Sequence, residues 1–409
     1  MAYAESRGKT WRVKYKKPNG SWASESGFET KKAALAWGRD QETDIRRNTW
    51  IDPRHAEEKF GDFAEKVFAA ARLAISTRER YRSLLNAHIL PQWEDWTLNA
   101  IFGGHLEIRA WVTKLHAQLA EPTVASVYYY FSQILEEAVR ARKLPGNPAR
   151  MVRVTTGGYE AEHQVATSVQ VLRAAMRLHK TFGRAGMVLA LLNSYTGMRW
   201  SEQVALRSCD YDNIVPAVPV RAPIRETGSG RMEIADKPKT PAGRRWVQLP
   251  PFLDALHSDL ARSCEQEYLF TNFSGGWLRR TNFQYRFWRP AWDGEPNEQA
   301  WMRQSLVEGI TFHEAGRHTH RTWLAEDGIP EVARAARLGH KLPGMAQVYE
   351  HVTPVMLQQV LRVLEARWVE SVSSLTEVER DHLFVMAPIL EEQYRKDIND
   401  GVPSGATGG

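Results

Sequence analysis

Residues 316–352 read GRHTHRTWLAEDGIPEVARAARLGHKLPGMAQVYEHV and combine a cation, a histidine and a phenol at fixed intervals. Arg317 opens the stretch, and Tyr349 follows His340 by nine residues. A second arginine, Arg199, lies upstream in the segment TGMRWSE. Two guanidinium groups can grip one phosphate, because each presents a planar fork of donors and keeps its proton. Together these segments predict a phosphoryl-transfer site in which the phenol attacks the phosphorus atom.

The size and composition of the chain limit its class. Its 409 residues are too many for one compact core and predict two or three domains. The sequence contains neither an apolar run of about 18 residues nor an apolar leader, so we expect no membrane span and no secretion. The two cysteines, Cys209 and Cys264, form no CxxC motif and are expected to be reduced thiols.

Positive charge is concentrated at the N-terminus. The net charge is +6, and residues 1–50 hold eleven Lys and Arg against six Asp and Glu, which gives +5 for this segment alone. A basic segment of this kind favours a polyanion such as nucleic acid as its partner. A charge that only keeps a small domain soluble is the alternative.

The same segment predicts a small three-stranded sheet followed by a helix. Apolar and basic residues alternate with a period of two between residues 11 and 16, and Thr30 can cap a helix over residues 31–47. One face of the sheet would be aromatic and the other basic. The basic face predicts DNA contacts from a set of four residues: Arg12, Lys14, Lys16 and Lys17. A solvated polar face is the alternative.

Residues 59–150 predict a helical domain after a linker around Pro53. One helix is expected to be capped by Thr77, and a second begins near Thr123. The polar face of the second helix would offer Ser126 and Tyr130 to DNA phosphates.

Residues 151–365 predict a larger, mainly helical domain that contains β-hairpins between residues 214 and 249. A C-terminal tail is predicted over residues 366–409. Its residues 370–396 are amphipathic, and we expect them to pack either on their own domain or on a neighbouring subunit. The end of the chain, GVPSGATGG, is expected to be disordered. The predicted fold class is therefore α+β and multidomain.

Arg199, Arg317, His340 and Tyr349, taken in this order, resemble the tyrosine recombinase (phage integrase) family. TGMRWSE is similar to the first-arginine box of that family, and RHTHRTWLAEDGIPEVARAARLGH resembles its second box. This likeness covers about residues 160–360. Residues 1–50 resemble the arm-site domain of phage-type integrases, and residues 59–150 resemble the core-binding domain of the family.

The resemblance implies a role for each matching residue. Arg199 and Arg317 would bind the scissile phosphate, and Tyr349 would form a covalent 3′-phosphotyrosyl link. A lysine on a β-hairpin would protonate the departing 5′-oxygen. Lys239 matches best and Lys237 is the alternative. Arg244, in the same basic stretch, is predicted to contact DNA.

The histidines match the family less closely. His340 would bond a non-bridging oxygen of the phosphate. The other family histidine normally lies three residues before the second arginine, but Glu314 occupies that place here and His313 lies one residue earlier. An extra residue absorbed at Gly316 would explain the shift. We therefore expect His313 to act as the acid or base, with Glu314 as the alternative.

The predicted function is site-specific DNA recombination by a homotetramer on double-stranded attachment sites. The resemblance also allows an accessory DNA-bending or directionality protein, and it places the enzyme in a bacterial cytoplasm at the nucleoid. No metal or nucleotide cofactor is implied, because no zinc or phosphate-loop motif occurs. A DNA topoisomerase of type IB and a DNA-binding protein without catalysis are the alternatives.

Overall fold

The computed structural model describes residues 1–47, 50, 52, 57–154, 163–211, 214–228, 230–235, 241–296, 300–341 and 351–402. The chain divides into two compact units, Met1–Glu160 and Ala161–Gly409. The break lies about ten residues after the predicted boundary at 150. In the part of the chain given above, no helix has the length and apolar composition that a bilayer crossing needs.

The first unit begins with the predicted sheet and helix. Three antiparallel strands in the order β1-β2-β3 precede one helix: β1 (Tyr3–Arg7), β2 (Thr10–Lys16), β3 (Trp22–Phe28) and α1 (Lys31–Arg46). Val13 and Tyr15 are buried, as the alternation predicted. Gly38 of α1 lies so close to β2 that an added Cβ would be 2.6 Å from Val13. Thr30 caps α1 as predicted, because its hydroxyl accepts the N–H of Ala33 at 3.1 Å.

The rest of the first unit is helical. Its helices are α2 (Phe60–Ala70), α3 (Ile75–Leu84), α4 (Leu90–Trp93), α5 (Leu98–Gly103), α6 (His105–Gln118) and α7 (Glu121–Arg140). The prediction that Thr77 caps a helix is wrong: α3 begins two residues earlier, after Ala74. A short π-helix, Leu85–Ile89, joins α3 to α4 just before Pro91. The wider π turn suits a proline, because Pro lacks the N–H and clashes with the carbonyl four residues earlier.

The second unit is built around a buried helical pair. These helices and the following short one are α8 (Ser168–Phe182), α9 (Arg184–Thr196) and α10 (Trp200–Gln203). Thr167 starts α8 with a capping box that includes Gln170. All residues of α9 from Gly186 onward are buried, so α9 forms the centre of the core. Gly197 ends α9 in the left-handed region, with φ of 62°, and so directs the chain toward α10.

Two antiparallel strand pairs and further helices follow. The pairs are β4 (Ala217–Val220) with β7 (Arg245–Gln248) and β5 (Ile224–Glu226) with β6 (Met232–Ile234). The helices are α11 (Pro251–Ser263), α12 (Arg280–Phe283), α13 (Arg289–Asp293), α14 (Ala300–Arg303), α15 (Thr319–Glu326) and α16 (Glu331–Leu338). Two more π-helices, Gln284–Trp288 and Glu314–His318, precede α13 and α15.

The C-terminal helices pack on their own unit. They are α17 (Pro354–Ser373), α18 (Glu377–Met386) and α19 (Pro388–Asn399). Leu383 and Leu390 are fully buried in the same core as α9, so of the two predicted packing modes the structure adopts the one within the chain. The predicted boundary after residue 365 is therefore wrong, because it falls inside α17. The end predicted to be disordered lies, from residue 403 onward, outside the described residues.

Polar contacts hold these last helices in place. Arg173 of α8 donates to both carboxylate oxygens of Glu379 in α18, at 2.7 and 3.0 Å. Glu365 of α17 accepts the backbone N–H of Phe252 at 3.0 Å, which links α17 to the start of α11. Burial, together with the neighbouring carboxyl group of Asp397, raises the pKa of Glu365, so this carboxyl group is protonated at neutral pH.

Candidate active site

Arg199 begins α10 and is held by an acid on the same helix. Glu202 accepts the Arg199 backbone N–H at 2.9 Å and an Nη1 donor of the Arg199 side chain at 2.8 Å. The Glu202 side chain is only 3% exposed, whereas that of Arg199 is 44% exposed. The ion pair therefore orients the guanidinium group while leaving part of it open to an incoming anion.

Arg317 is buried and has no carboxylate within ion-pair distance among the described residues. Its Nη1 donates to the Gly197 carbonyl at 3.1 Å, and its Nη2 donates to the Leu338 carbonyl. Burial lowers the pKa of Arg317 to about 10, and the nearby charge of Arg199 acts in the same direction. A buried cation that bonds only neutral groups favours binding of an anion.

His340 lies directly against this second arginine. Its Nε2 is 2.6 Å from the Nη2 of Arg317. A guanidinium group can only donate, so Nε2 must accept and Nδ1 carries the proton of the neutral ring. Partial burial and the charge of Arg317 lower the pKa of His340 to about 4. The ring is therefore neutral at pH 7, and the Nδ1–H of this exposed residue has no hydrogen-bond partner among the described residues.

A cleft of about 400 Å³ brings the first arginine, the second arginine and the predicted acid–base histidine together. Arg199, Arg317 and His313 all line it, and so does Arg280 at the start of α12. Burial lowers the pKa of His313 to about 4, with His318, Arg317, Arg280 and Arg199 as further causes. His313 is thus a neutral imidazole in a cationic cleft.

Glu314, the alternative acid or base, is already used by the local backbone. Its carboxylate accepts the N–H of Thr311 at 3.0 Å and the hydroxyl of Thr311 at 2.7 Å. It also lies 3.6 Å from His163. Glu314 does not line the cleft, so the geometry favours His313 over it.

A π-helix lies where the family resemblance predicts an extra residue between His313 and Arg317, and it could accommodate that residue. Residues Glu314–His318 form this turn. The two other π-helices precede Pro91 and Pro290, but this one is followed by Thr319, whose hydroxyl bonds the Glu314 carbonyl at 2.8 Å. One added residue per turn restores the alignment of His313 with Arg317 on one face. The turn as a whole, and not Gly316 alone, takes up the insertion.

Gly316 has a different task, because it lets the π-helix pack on α9. A Cβ built at Gly316 would lie 2.0 Å from Oδ1 of Asn193. Asn193 cannot move away at little cost: its Nδ2 donates to the Phe312 carbonyl at 2.7 Å, and its Oδ1 accepts from Gln203 at 3.0 Å. The close approach of Gly316 to Asn193 thus sets the distance between the π-helix that carries Arg317 and the helix α9 that leads to Arg199.

Gly316→Ala should therefore lower the free energy of unfolding by about 1–3 kcal/mol, the usual effect of overpacking a core. Denaturant unfolding of the full chain measures it. Gly103→Ala is the control, since a Cβ there meets nothing within 4 Å. Equal stability of the two variants would show that Asn193 yields freely and that the approach is not constrained.

The two neighbouring histidines have separate positions. His320 is fully buried; its Nδ1–H donates to the Ser194 carbonyl at 2.8 Å, and its Nε2 accepts from Arg337 at 3.0 Å. These two hydrogen bonds make His320 part of the support of the fold. His318 stacks on His163 with ring centroids 3.9 Å apart and meets His313 edge-on at 4.7 Å.

Three predicted residues cannot be placed. Tyr349, Lys239 and its alternative Lys237 lie outside the described residues. The chain returns to the described part close to the site, because Val352, three residues after Tyr349, lines a groove with Arg245. Arg244 is exposed just before β7 and has no ion-pair partner among the described residues.

The basic residues of the sheet that were predicted to contact DNA differ in how exposed they are and in whether they already have a partner. Lys16 is exposed, Lys14 is 3.1 Å from Glu5, and Nε of Arg12 donates to the Ser26 hydroxyl at 3.1 Å. Lys17 forms an ion pair with Asp52. Its ammonium group therefore holds the segment after α1.

The two predicted donors on α7 also differ. Ser126 accepts from Arg80 at 2.6 Å and lies partly exposed. Tyr130 was wrongly assigned to the polar face: it is 4% exposed and stacks on Tyr81 with ring centroids 4.1 Å apart. Burial raises the pKa of Tyr130 to about 12. The exposed tyrosine of α7 is Tyr129.

Sequence reasoning missed two arginines of the site. Arg280 is exposed, lines the cleft and has no described ion-pair partner, but it lies in no motif. Arg245 bonds Glu202 at 3.0 Å from the neighbouring strand. Only the basic run GRR around it could have drawn attention to this position.

Curated proteins that are similar to this chain in sequence are named integrases and tyrosine recombinases. A putative prophage phiRv2 integrase of Mycobacterium tuberculosis is 25% identical over 83% of this chain and 88% of its own length. The integrase of Mycobacterium phage L5 is 21% identical over 79% of this chain and 85% of its own. Tyrosine recombinase XerC of Chlamydia caviae is 28% identical over 47% of this chain and 54% of its own. No protein-family model matches the chain.

Solved structures share the fold. A Tn1549 transposon integrase fragment in complex with a circular-intermediate DNA matches with a TM-score of 0.58 and 17% identity, over 73% of this chain and 97% of that one. A lambda integrase dimer bound to a core site matches with a TM-score of 0.52 and 14% identity, over 86% of this chain and 96% of that one. Two arginines and a histidine line one cleft in a fold that this chain shares with solved integrases. In sequence the chain is similar to integrases and tyrosine recombinases of the phage and integrative-element type.

Proposed function

We propose that this protein is a site-specific DNA recombinase that cuts and rejoins DNA through a 3′-phosphotyrosyl intermediate. The observation that carries the proposal is the cleft in which Arg199, Arg317 and His313 converge, with His340 bonded to Arg317. Charge builds up on the non-bridging oxygens when a phosphodiester is attacked, and fixed cations stabilise it there. The partly exposed Arg199 and the carboxylate-free Arg317 are cations of this kind.

In the proposed reaction the Tyr349 oxygen forms a bond to phosphorus while the bond from phosphorus to the 5′-oxygen breaks. The Tyr349 proton passes to His313, whose neutral ring has a lone pair available. The departing 5′-oxygen takes a proton from Lys239, or from Lys237 as the alternative. Rejoining runs the same steps in reverse with a different 5′-hydroxyl, so no metal or nucleotide is needed to conserve the bond energy.

His340 has a supporting part in this proposal. Its Nε2 is occupied by Arg317, so the Nδ1–H is the group that would meet a non-bridging oxygen. A bound phosphate would add a negative charge beside both histidines and raise their pKa values from about 4. The site would therefore become more protonated when DNA binds.

Covalent capture tests the function. Wild-type protein is incubated with a duplex from its attachment site that carries a nick next to the cleavage point, so that the released 5′-fragment diffuses away. We expect a protein–DNA adduct on a denaturing gel, with the modified residue identified as Tyr349 by peptide mapping. Nuclease-resistant adduct on any other residue, or none at all, would refute the proposal.

Partner DNA and assembly belong to the same proposal. The curated relatives are integrases and tyrosine recombinases, and the solved structures of similar fold are integrases in complex with DNA, which supports double-stranded attachment sites as the substrate. We propose a homotetramer that holds two such sites, with residues 1–50 reading accessory arm sites and residues 59–150 binding the core site. An accessory bending or directionality protein would act through those arm sites.

The basic sheet face should set the salt dependence of arm-site binding. Replacing Arg12, Lys14 and Lys16 with Gln should reduce the slope of log K against log salt by about 2–3, since each lost phosphate contact contributes about 0.9. Lys17→Gln is the matched control, because the partner of Lys17, Asp52, has a side chain that is only 8% exposed, whereas Glu5, the partner of Lys14, is 36% exposed and can release its lysine to DNA. Fluorescence anisotropy across a salt series measures both. A slope that stays the same in the triple variant would show that this face does not touch DNA.

A further inference from the structure

Arg245 joins three parts of the second unit, although it belongs to neither arginine motif. It opens strand β7, and its side chain is only 8% exposed. Its Nη2 donates to Oε2 of Glu202 at 3.0 Å, and its Nε donates to the carbonyl of Arg337 at 2.6 Å. Its Nη1 also donates to the carbonyl of Gly243 at 3.2 Å. One guanidinium group thus connects α10, the end of α16 and the turn that precedes β7.

The contact with Glu202 bears directly on Arg199. Glu202 is the residue that orients Arg199, and its carboxylate is almost fully buried. Burial opposes ionisation, but the charge and hydrogen bonds of Arg245, with those of Arg199, keep the pKa of Glu202 below its ordinary value. Without Arg245 the carboxylate would be buried with a single, partly exposed partner. Such a group is costly to keep ionised and fixed in position.

The contact with Arg337 lies next to the supports of the second arginine. The Leu338 carbonyl, one residue on, accepts from Arg317, and His340 follows. Gly339 between them has φ of 68°, and an added Cβ would lie 3.0 Å from Nη1 of Arg245. The turn after α16 is therefore packed tightly against the same guanidinium group.

We propose that Arg245 is a positioning residue for the phosphate site, which it controls mainly by fixing Glu202 and hence Arg199. This inference rests on the proposed function.

A double-mutant cycle tests the path through Arg199. The rate of single-turnover cleavage of the nicked duplex is measured for Arg245→Met, for Arg199→Ala and for the double variant, at saturating DNA. We expect Arg199→Ala to slow cleavage about 100-fold to 1000-fold, as the loss of a charge-stabilising donor does. Arg245→Met should slow it about 10-fold to 100-fold through misplacement, with the Kd for DNA unchanged. The double variant should be at least 10-fold faster than the product of the two single losses implies.

Independent losses that multiply would overturn the proposal, since Arg245 would then act on something other than Arg199. Arg245→Lys replaces Arg245→Met if the latter does not fold; a lysine can keep the contact with Glu202 but cannot also reach the Arg337 carbonyl, so it should restore part of the rate. Arg177→Lys is the control for simple loss of stability. Arg177 is a buried arginine that bonds only carbonyls, those of Ala291, Trp301 and Gln304. Arg177→Lys should lower the denaturant midpoint of unfolding and leave the rate of cleavage unchanged.

Failure of this inference is distinct from failure of the proposed function. If the wild type forms no adduct, the function itself is wrong and Arg245 has no reaction to support. If the wild type cleaves and the cycle is multiplicative, the function stands and the positioning role does not.

Discussion

Protein with Tyr349→Phe should form no covalent adduct with a nicked attachment-site duplex, while it binds the same duplex with unchanged affinity. The phenol oxygen is the atom that bonds to phosphorus, and phenylalanine lacks it but keeps the ring. An ordinary tyrosine has a pKa near 10, so a second hydroxyl elsewhere would not replace it without a comparable set of cations. The loss should therefore be complete, below detection on a denaturing gel.

Tyr394→Phe is the matched control for that experiment. Tyr394 lies in the same unit, and its hydroxyl makes one hydrogen bond, of 3.0 Å, to Ser373. Removing that hydroxyl is the same chemical change outside the cleft, so adduct formation should remain at the wild-type level. An adduct that persists in Tyr349→Phe would assign the nucleophile to another residue and would leave the two arginines to be explained by binding alone.

Local patterns in the sequence predicted local structure well. Thr30 and the alternation around Val13 defined the first helix and sheet, because a cap and a period of two depend only on neighbours in sequence. The Arg199–Glu202 ion pair is local in the same sense, since the two residues lie three apart, which is about one helical turn. The extra residue before Arg317 pointed to a distortion there, although not to a π-helix.

Contacts between distant segments were not predictable in the same way. Tyr130 was misplaced because α7 is buried on a broad face that also includes Tyr128 and Phe131, and a single stripe does not describe such a helix. Arg245 lies 43 residues from Glu202 in sequence, and only the folded hairpin brings them together. The last helices pack on their own unit, on a core surface provided by α8 and α11. Amphipathic periodicity predicts that these helices have an apolar face, but it does not specify which surface covers that face.

Arg317→Lys should slow the cleavage of a bound nicked duplex by about 100-fold to 1000-fold and leave its Kd nearly unchanged. Lysine keeps the charge, but its single ammonium group cannot span the Gly197 carbonyl, the Leu338 carbonyl, His340 and a phosphate oxygen at once. Single-turnover kinetics at saturating DNA separate this effect from binding. Arg321→Lys is the control, because Arg321 lies one turn on and pairs with Glu331 at the surface. Comparable losses in the two variants would mean that cleavage responds to arginine in general.

A second substitution at the same position tests how the charge state of the site is set. In Arg317→Gln the positive charge beside His340 is gone, so the pKa of His340 should rise from about 4 part of the way toward the ordinary 6.5. The rest of the depression comes from burial and from the charges of Arg199, Arg321 and Arg245, and it remains. Titration of the His340 ring by NMR measures the midpoint directly. As the pKa of His340 rises, the cleavage rate should fall as the pH is lowered below neutrality. A protonated ring repels Arg199 and no longer accepts a hydrogen bond. If the midpoint stays near 4, burial and the other arginines keep His340 neutral without Arg317, and the role of Arg317 is then limited to binding the phosphate.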